Sequence, residues 1–446
     1  MTTETRTGFT ADEAAALVDR LRTTFRTGRT KPLAWRKEQL TRLRALLTEH
    51  GDDLADALHT DLHKPRAEAY LSEIDFTVRE IDHTLEHLEE WLRPQPAAIT
   101  GPGFPDGSAA RTKFDPLGVA LVISAWNYPV NLLLVPVAGA LASGNAVVIK
   151  PAEYTEATSA LLARLLPAYL DDEATAVVEG GPAETTALLA QHFDHIFYTG
   201  GGAVGRIVMK AAAEHLTPVT LELGGKCPVF VDSDADLTTV AARLVGTKFA
   251  NAGQTCVAPD YVLTDPATAR ALENALTDAI EDRYGAGPAP SDAYGRIINE
   301  RHFDRLTALL GSGRTVTGGQ HDRADKYIAP TVLADVSPDE PVMREEIFGP
   351  ILPILTVAGL DEAIEFINDR DKPLALYAFT ENDTTRRRLA DETSSGGLNF
   401  GLPIRHLAVP ELPFGGVGAS GMGNYHGRYS IETFSHRKAV LDVPLS

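Results

Sequence analysis

"HIFYTGGGAVGRIV", His195 to Val208, carries the reading that decides the fold. Five residues of β-type character, "HIFYT", run into adjacent glycines, and a helix-like stretch follows. Gly200, Gly202 and Gly205 satisfy G-x-G-x-x-G, the pattern in which a strand turns tightly into a helix whose N-terminus faces a pyrophosphate. Three glycines in a row meet that pattern cheaply, so the neighbouring sequence has to support it. Glu222 lies downstream, near where a ribose-binding acid stands in such folds. It sits inside "LELGGK", however, directly before a second tight turn at Gly224 and Gly225. A carboxylate held there can serve chemistry instead, and spacing alone leaves both roles open.

The neighbouring runs agree with the glycines. "GVALVIS", "AVVIK", "ATAVVEG", "VTLEL" and "PVFV" are short apolar strands separated by helical stretches. "YVLT", "YIAPTVL", "ILPILTV" and "LALYAFT" continue the style in the second half. Strands alternating with helices specify βαβ units and a mostly parallel sheet, an α/β fold. From Thr10 to about Pro94 the spacing is helical instead, in "ADEAAALVDRLRTTF" and "WRKEQLTRLRALLTEHGDDLADAL". Thr10 with Glu13 reads as a capping box. "AAITGPGFPDGSAAR", with a turn at Pro105-Asp106-Gly107, is a linker or a hairpin leaving the domain body.

Composition narrows the function classes. At 446 residues the chain suits two or three domains. A net charge of −20 argues against a nucleic-acid surface, which needs clustered Lys and Arg. Two cysteines in so long a chain point to a reducing compartment. The run Pro116–Ile149 carries no charge and has the length of a membrane span. Pro129 and Pro136 interrupt it, and Asn127, Asn131 and Asn145 would have to sit in lipid. A buried strand, a loop and a buried helix fit better. The N-terminus shows no secretory pattern, and the second residue is Thr2 rather than the glycine of a lipidation motif. Lys438, Asp442 and Pro444 break up "KAVLDVPLS". The expectation is a cytoplasmic protein with neither membrane nor nucleic-acid partner.

Two further strand ends and one thiol hold candidate chemistry. "SAWNYP" follows "GVALVI", and the amide of Asn127 is a donor suited to an oxyanion or, equally, a turn-forming residue. In "VVIKPAE", Lys150 and Glu153 are read as opening a helix with Pro151 in its first turn, where they could clamp a ribose or phosphate or stay as surface charges. "NAGQTC", Asn251–Cys256, is small and polar, a poor setting for a packing residue. Cys227, in "GGKCPVF", enters a strand and reads as packing. A free thiol is only a few per cent thiolate at neutral pH, so a nucleophilic cysteine needs exposure and nearby donors, which the setting of Cys256 offers. The 13 histidines are scattered, with no HExxH and no C-x-x-C, so no metal site is expected.

Taken together, these segments resemble the aldehyde dehydrogenase superfamily, and within it the short class 3 branch, from about residue 10 to the end. "NAGQTCVAPDY" is similar to the nucleophile segment, "LELGGK" to the general-base segment and "AWNYP" to the oxyanion segment. "KPAE" is similar to the ribose clamp and "EEIFGP" to the nicotinamide-ribose segment. "LPFGGVGASGMGNYHG" with "SIETFSHRK" resembles the class 3 C-terminal region. The resemblance implies catalysis by Cys256, Glu222 and Asn127, through a thiohemiacetal and a thioester that is then hydrolysed. It implies that NAD, or NADP, is held by Trp126, Lys150, Glu153, Gly200, Gly201, Gly202, Ala203, Val204, Gly205, Leu223, Glu346 and Phe348. The implied parts are a Rossmann-like nucleotide-binding domain (1–94 and 116–222), an α/β catalytic domain (223–406) and a β-strand oligomerisation arm (95–115 and 407–446). A homodimer and a small aldehyde substrate are expected. A CoA-acylating enzyme of the same fold needs no water-activating carboxylate, so Glu222 counts against it. A thiol esterase and a non-catalytic binding protein are also compatible with the fold. Gly201 and Gly202 stand where relatives carry side chains, and Gly401 where they usually carry Asn.

Overall fold

The uncharged run folds as strand Val119–Ile123, helix Asn131–Ser143 and strand Ala146–Lys150, all of it in the interior. Both strands are buried at every position, as a parallel strand covered on two faces must be. The computed structural model describes residues 9–285, 289, 291 and 293–445; the first eight residues, with Thr2, and Ser446 lie outside the described residues.

Five parallel strands form the first sheet, in the order Val219–Glu222, His195–Thr199, Val119–Ile123, Ala146–Lys150, Thr175–Val177. Gly421–Met422 closes one edge antiparallel, with Gly421 opposite Glu222. The chain starts at Val119–Ile123, winds one way through Ala146–Lys150 and Thr175–Val177, then returns to add His195–Thr199 on the other side. That reversal is a switch point, where loops leaving the carboxyl ends part and open a crevice. The loop after Ile123 carries Asn127, and the loop after Thr199 carries Gly200–Gly205. Leu121, Ile123 and Val148 pack toward Val18, Leu21 and Val208 on one face. Val122, Ile149 and Phe197 pack toward Leu133 and Leu134 on the other.

A second sheet runs Arg314–Thr317, Thr331–Ala334, Ile351–Thr356, Tyr261–Thr264, Pro228–Val231, Ala375–Phe379, Gly397–Phe400, with Arg314–Thr317 alone antiparallel. The Gly- and Pro-rich segment resolves as a hairpin: Gln95–Ala97 pairs with Ala109–Pro116, which pairs in turn with Ser435–Asp442. The architecture is α/β. Of the stretch assigned to the arm from 407 onward, only Ser435–Asp442 pairs in this three-stranded sheet. Gly421–Met422 is hydrogen-bonded into the first sheet instead, and the carboxylate of Glu80 holds the N–H of Gly427 against helix Asp75–Trp91.

Local rules explain the helices. Thr10 accepts from the N–H of Glu13, and Glu13 answers at the N–H of Thr10, the expected capping box. The long helical run breaks at His50 into Leu33–Glu49 and Gly51–Leu62. Pro151 and Glu153 do not open a helix, contrary to the expectation. The helix begins at Glu156, because Asp61 accepts from the N–H groups of Ala157 (3.0 Å) and Thr158 (2.8 Å) and so caps it from a distant segment. Among the described residues, no helix is long and apolar enough to cross a membrane.

Candidate active site

"NAGQTC" is not the open, small-residue setting its composition predicts. Asn251, Ala252, Gly253, Gln254 and Thr255 are all buried, and Cys256 is half-buried. Ala250–Gly253 is a tight turn with Asn251 at φ 50°, Ala252 at φ 51° and Gly253 at φ 73°. Left-handed geometry costs a residue with a Cβ about 1–2 kcal/mol, so the surroundings must hold the turn. They do so through polar side chains. Asn251 Nδ2 donates to the carbonyl of Asn127 at 2.8 Å. Gln254 Nε2 donates to the carbonyls of Asn251 (3.0 Å) and Arg296 (2.9 Å), and its oxygen accepts from Ile298 N–H (3.0 Å). Gly253 is glycine because a Cβ there would overlap the carbonyl of Gly349. The small residues therefore serve backbone packing.

Two carboxyl groups influence the thiol. Burial pushes the Cys256 thiol up, and the charges of Glu346 and Glu222 push it further, against the N–H groups of Cys256 and Val257. Glu222 ends its strand and is 3% exposed, with neither carboxyl oxygen hydrogen-bonded. Burial raises its pKa well above the ordinary carboxylate range. Glu346 lies against the turn after that strand. A Cβ on Gly224 would overlap its carboxyl group, and the Gly225 N–H donates to it. Burial, then Asp260, raises Glu346 to about 8. Asp260 also accepts from Ile347 N–H and from Lys226 Nζ (2.6 Å), pinning the segment that carries Glu346.

Asn127 is 2% exposed, and its Nδ2 donates to the carbonyl of Gln254 at 3.0 Å, the residue two before the thiol. An amide nitrogen carries two hydrogens, so one remains for another acceptor. Tyr128 Oη meets Thr255 Oγ1 at 2.7 Å. Trp126 stacks edge-on with Phe348 and lies beside His302, both at 5.2 Å between centroids. Cys227 is fully buried, and its sulfur lies 3.5 Å from the carbonyl of Cys256.

The glycine loop is different in kind. Helix Gly202–Ala213 starts directly after it, with Gly201 as the preceding residue. A Cβ on Gly200 would overlap the Tyr198 hydroxyl, and one on Gly205 would stand 2.9 Å from Leu223 Cδ2. These two glycines let strand, helix and Leu223 approach closely. Gly201 has open space around it and Gly202 meets only Arg206, so neither is required sterically. Ala203 and Val204 continue the first helical turn, with Val204 exposed. Gly401 has φ 77°, a conformation Asn also tolerates, which accounts for that exchange.

Lys150 is no surface charge. Its ammonium is buried and donates to the carbonyls of Pro151 (2.8 Å) and Gly180 (2.6 Å), and burial lowers its pKa. Beside it a cavity is walled by Ala152, Glu153, Glu156, Glu179 and Gly180. Sequence reasoning missed Lys64, Glu73, Asp260 and His302. In helical runs or beside a proline such residues read as ordinary surface polarity, and only the fold turns them inward.

Comparison with known proteins gives the family and the fold. The family model described as "Aldehyde dehydrogenase family" matches residues 3–440. The mouse protein named "Aldehyde dehydrogenase, dimeric NADP-preferring" is 49% identical over 427 residues, covering 96% of this chain and 94% of its own. A Staphylococcus aureus AldH solved in a substrate-bound state superimposes with TM-score 0.94 at 43% identity, covering 96% of this chain and 94% of its own. A Bacillus cereus aldehyde dehydrogenase solved with NAD+ gives TM-score 0.88 at 27% identity, covering 97% and 89%.

Proposed function

The chain belongs to the aldehyde dehydrogenase family and is an NAD(P)-dependent oxidoreductase acting on aldehydes; from that premise we propose that Cys256 is its nucleophile, Glu222 its water-activating base and Asn127 its oxyanion donor. The observation that carries the reading is the Glu222 carboxyl group: buried, without a hydrogen-bond partner, and close enough for its charge to reach the thiol. A buried acid left unpaired costs stability, and burial that raises a carboxylate's pKa makes it a stronger base toward water.

The residues fit a dinucleotide. Open space over Gly201 and Gly202 leaves the N-terminus of helix Gly202–Ala213 free to receive a pyrophosphate. Glu153, Glu156 and Glu179 line the cavity assigned to the adenosine end, and Lys150 Nζ donates to the carbonyls of Pro151 and Gly180 in its wall. Those carboxylates oppose a 2′-phosphate, so we read NAD as preferred, with NADP accepted less well. Leu223, Trp126, Glu346 and Phe348 are assigned to the nicotinamide end. When bound, the cofactor accepts a hydride.

The steps follow from the chain's own groups. Cys256 reacts as the thiolate, its proton given up to solvent: the sulfur bonds to the aldehyde carbon, and the carbonyl π pair moves onto oxygen. The spare hydrogen of Asn127 Nδ2 and the N–H of Cys256 stabilise that oxyanion, a donor set whose loss typically costs roughly 10²–10³-fold. Hydride departs from the same carbon, the oxyanion re-forms its C=O bond, and a thioester on Cys256 remains. Glu222 takes a proton from water, the resulting hydroxide attacks the thioester, and the thiolate leaves as the acid departs.

We assign the first sheet, the second sheet and the three-stranded sheet to nucleotide-binding, catalytic and arm regions. A dimer paired through the arm accords with the word "dimeric" in the mouse relative's name. The experiment is Glu222→Gln under pre-steady-state conditions. A burst of NADH followed by turnover slowed at least ~10²-fold supports the water-activating role. A variant with neither burst nor turnover assigns Glu222 to thiol activation or cofactor binding instead.

A further inference from the structure

The oxyanion loop is gripped from behind by a fully buried ion pair. Lys64 follows helix Gly51–Leu62, and Glu73 lies in the π-helical turn Tyr70–Ile74. Both side chains are 0% exposed, and Lys64 Nζ donates to Glu73 Oε1. Neither group stops at its partner. Lys64 Nζ also donates to the backbone carbonyl of Asn127 at 2.9 Å and stands 4.1 Å over the ring of Tyr128. Glu73 Oε2 accepts from the N–H groups of Val130 (2.8 Å) and Asn131 (3.2 Å), at the N-terminus of helix Asn131–Ser143. The loop from Trp126 to Asn131 is thus held at both ends by one pair.

Stability does not explain the arrangement. Desolvating two charges consumes most of what their attraction returns, and a well-packed apolar pair of the same volume is often as stable. The π turn adds a further cost: such turns are rare and concentrate at functional sites. What the pair supplies is orientation. The carbonyl of Asn127 accepts from both Lys64 Nζ and Asn251 Nδ2, which fixes the plane of the backbone that bears the Asn127 side chain. Asn251 belongs to the thiol's own turn, so one carbonyl ties that turn, the N-terminal helices and the Asn127 loop together.

We propose that Lys64 and Glu73 are positioning residues that set the Asn127 amide relative to the Cys256 sulfur, acting through the backbone of Asn127. The inference rests on the oxyanion role assigned to Asn127. Its signature is a loss of kcat without a matching change in the KM for NAD, and dependence of that loss on Asn127.

The test is a double-mutant cycle on the full chain. The double variant Lys64→Met/Glu73→Leu removes both charges together and leaves neither buried alone. It is expected to fold, with kcat reduced roughly 10- to 100-fold, the scale of a misplaced catalytic group. Placed on an Asn127→Ala background, the same pair should add little further loss. Should that double variant not fold, Glu73→Gln keeps the shape of the pair and is read in the same cycle. Unchanged kcat in the pair variant, or a full additional loss on Asn127→Ala, overturns the proposal. Wild-type kcat in Asn127→Ala alone overturns the oxyanion role itself, a separate outcome.

Discussion

Two glycine-bearing turns do opposite jobs in this molecule. The loop Gly200–Gly205 opens a helix into free space, and two of its glycines have room for a side chain. The turn Asn251–Cys256 is closed: left-handed, buried, and pressed against the backbone of Gly349. In sequence both are built largely of small residues. The first leaves space open, whereas the second is filled up to the half-buried sulfur. Glycine in a sequence therefore reports either vacancy or contact, and only the neighbouring atoms tell which.

The largest effect should come at the thiol that ends the closed turn. Cys256→Ser is expected to lower aldehyde oxidation more than about 10³-fold, since a hydroxyl is the weaker nucleophile, while Cys227→Ser keeps most of it. Steady-state assays with an aldehyde panel decide this, and equal losses would remove the distinction between the two cysteines. Next is the turn itself. Gly253→Ala meets the Gly349 carbonyl at φ 73°, so a loss of about 2–4 kcal/mol is expected in denaturant unfolding. A variant as stable as the parent would show the turn to be less closed than its contacts imply.

A smaller effect concerns pH. The Glu346 pKa is raised from 4.5 to about 8, so the folded chain holds this proton more tightly than the unfolded one. That contribution to stability is complete below about 4.5, falls as pH rises, and is gone above about 8. Glu346→Gln should remove this part of the slope from a stability-against-pH curve. An unaltered slope would mean that Glu346 is ionised where it sits. At the open loop the effects are slight. Gly205→Ala gains about 0.5–1 kcal/mol of helix propensity and loses a similar amount by crowding Leu223, so it should register mainly as a raised KM for NAD. Gly201→Ala should be neutral or stabilising by about 0.4–1 kcal/mol in thermal unfolding. A destabilised Gly201→Ala would erase the contrast between the two turns.

Much of this is legible in the sequence for a physical reason. Strands buried on both faces must be continuously apolar, so "GVALVIS", "AVVIK" and "HIFYT" announce the sheet. The capping box at Thr10 is local in sequence and can be read there. What escapes depends on distant partners. Helix Glu156–Tyr169 starts where Asp61 caps it, and nothing within "KPAEYTEA" says so. Lys64 and Glu73 resemble solvated charges on a helical face until helix Asn131–Ser143 is packed over them. "NAGQTC" stands out as a special segment, but it reads as an exposed, polar setting for the thiol. The left-handed geometry that requires its small residues has no sequence signal beyond an Asn and a Gly.

The pairing of Gly421–Met422 with the strand that ends in Glu222 bears on the order of events during synthesis. Ribosomes release a chain from its N-terminus, and domains tend to fold as they emerge. The strand carrying Glu222 is made long before residue 421, and until that residue appears its outer edge is bare, a place where another strand could add. The N–H of Leu223 waits on the carbonyl of Ser420 in the same way. A nascent chain thus carries Cys256 well before Gly421–Met422 closes the edge beside Glu222.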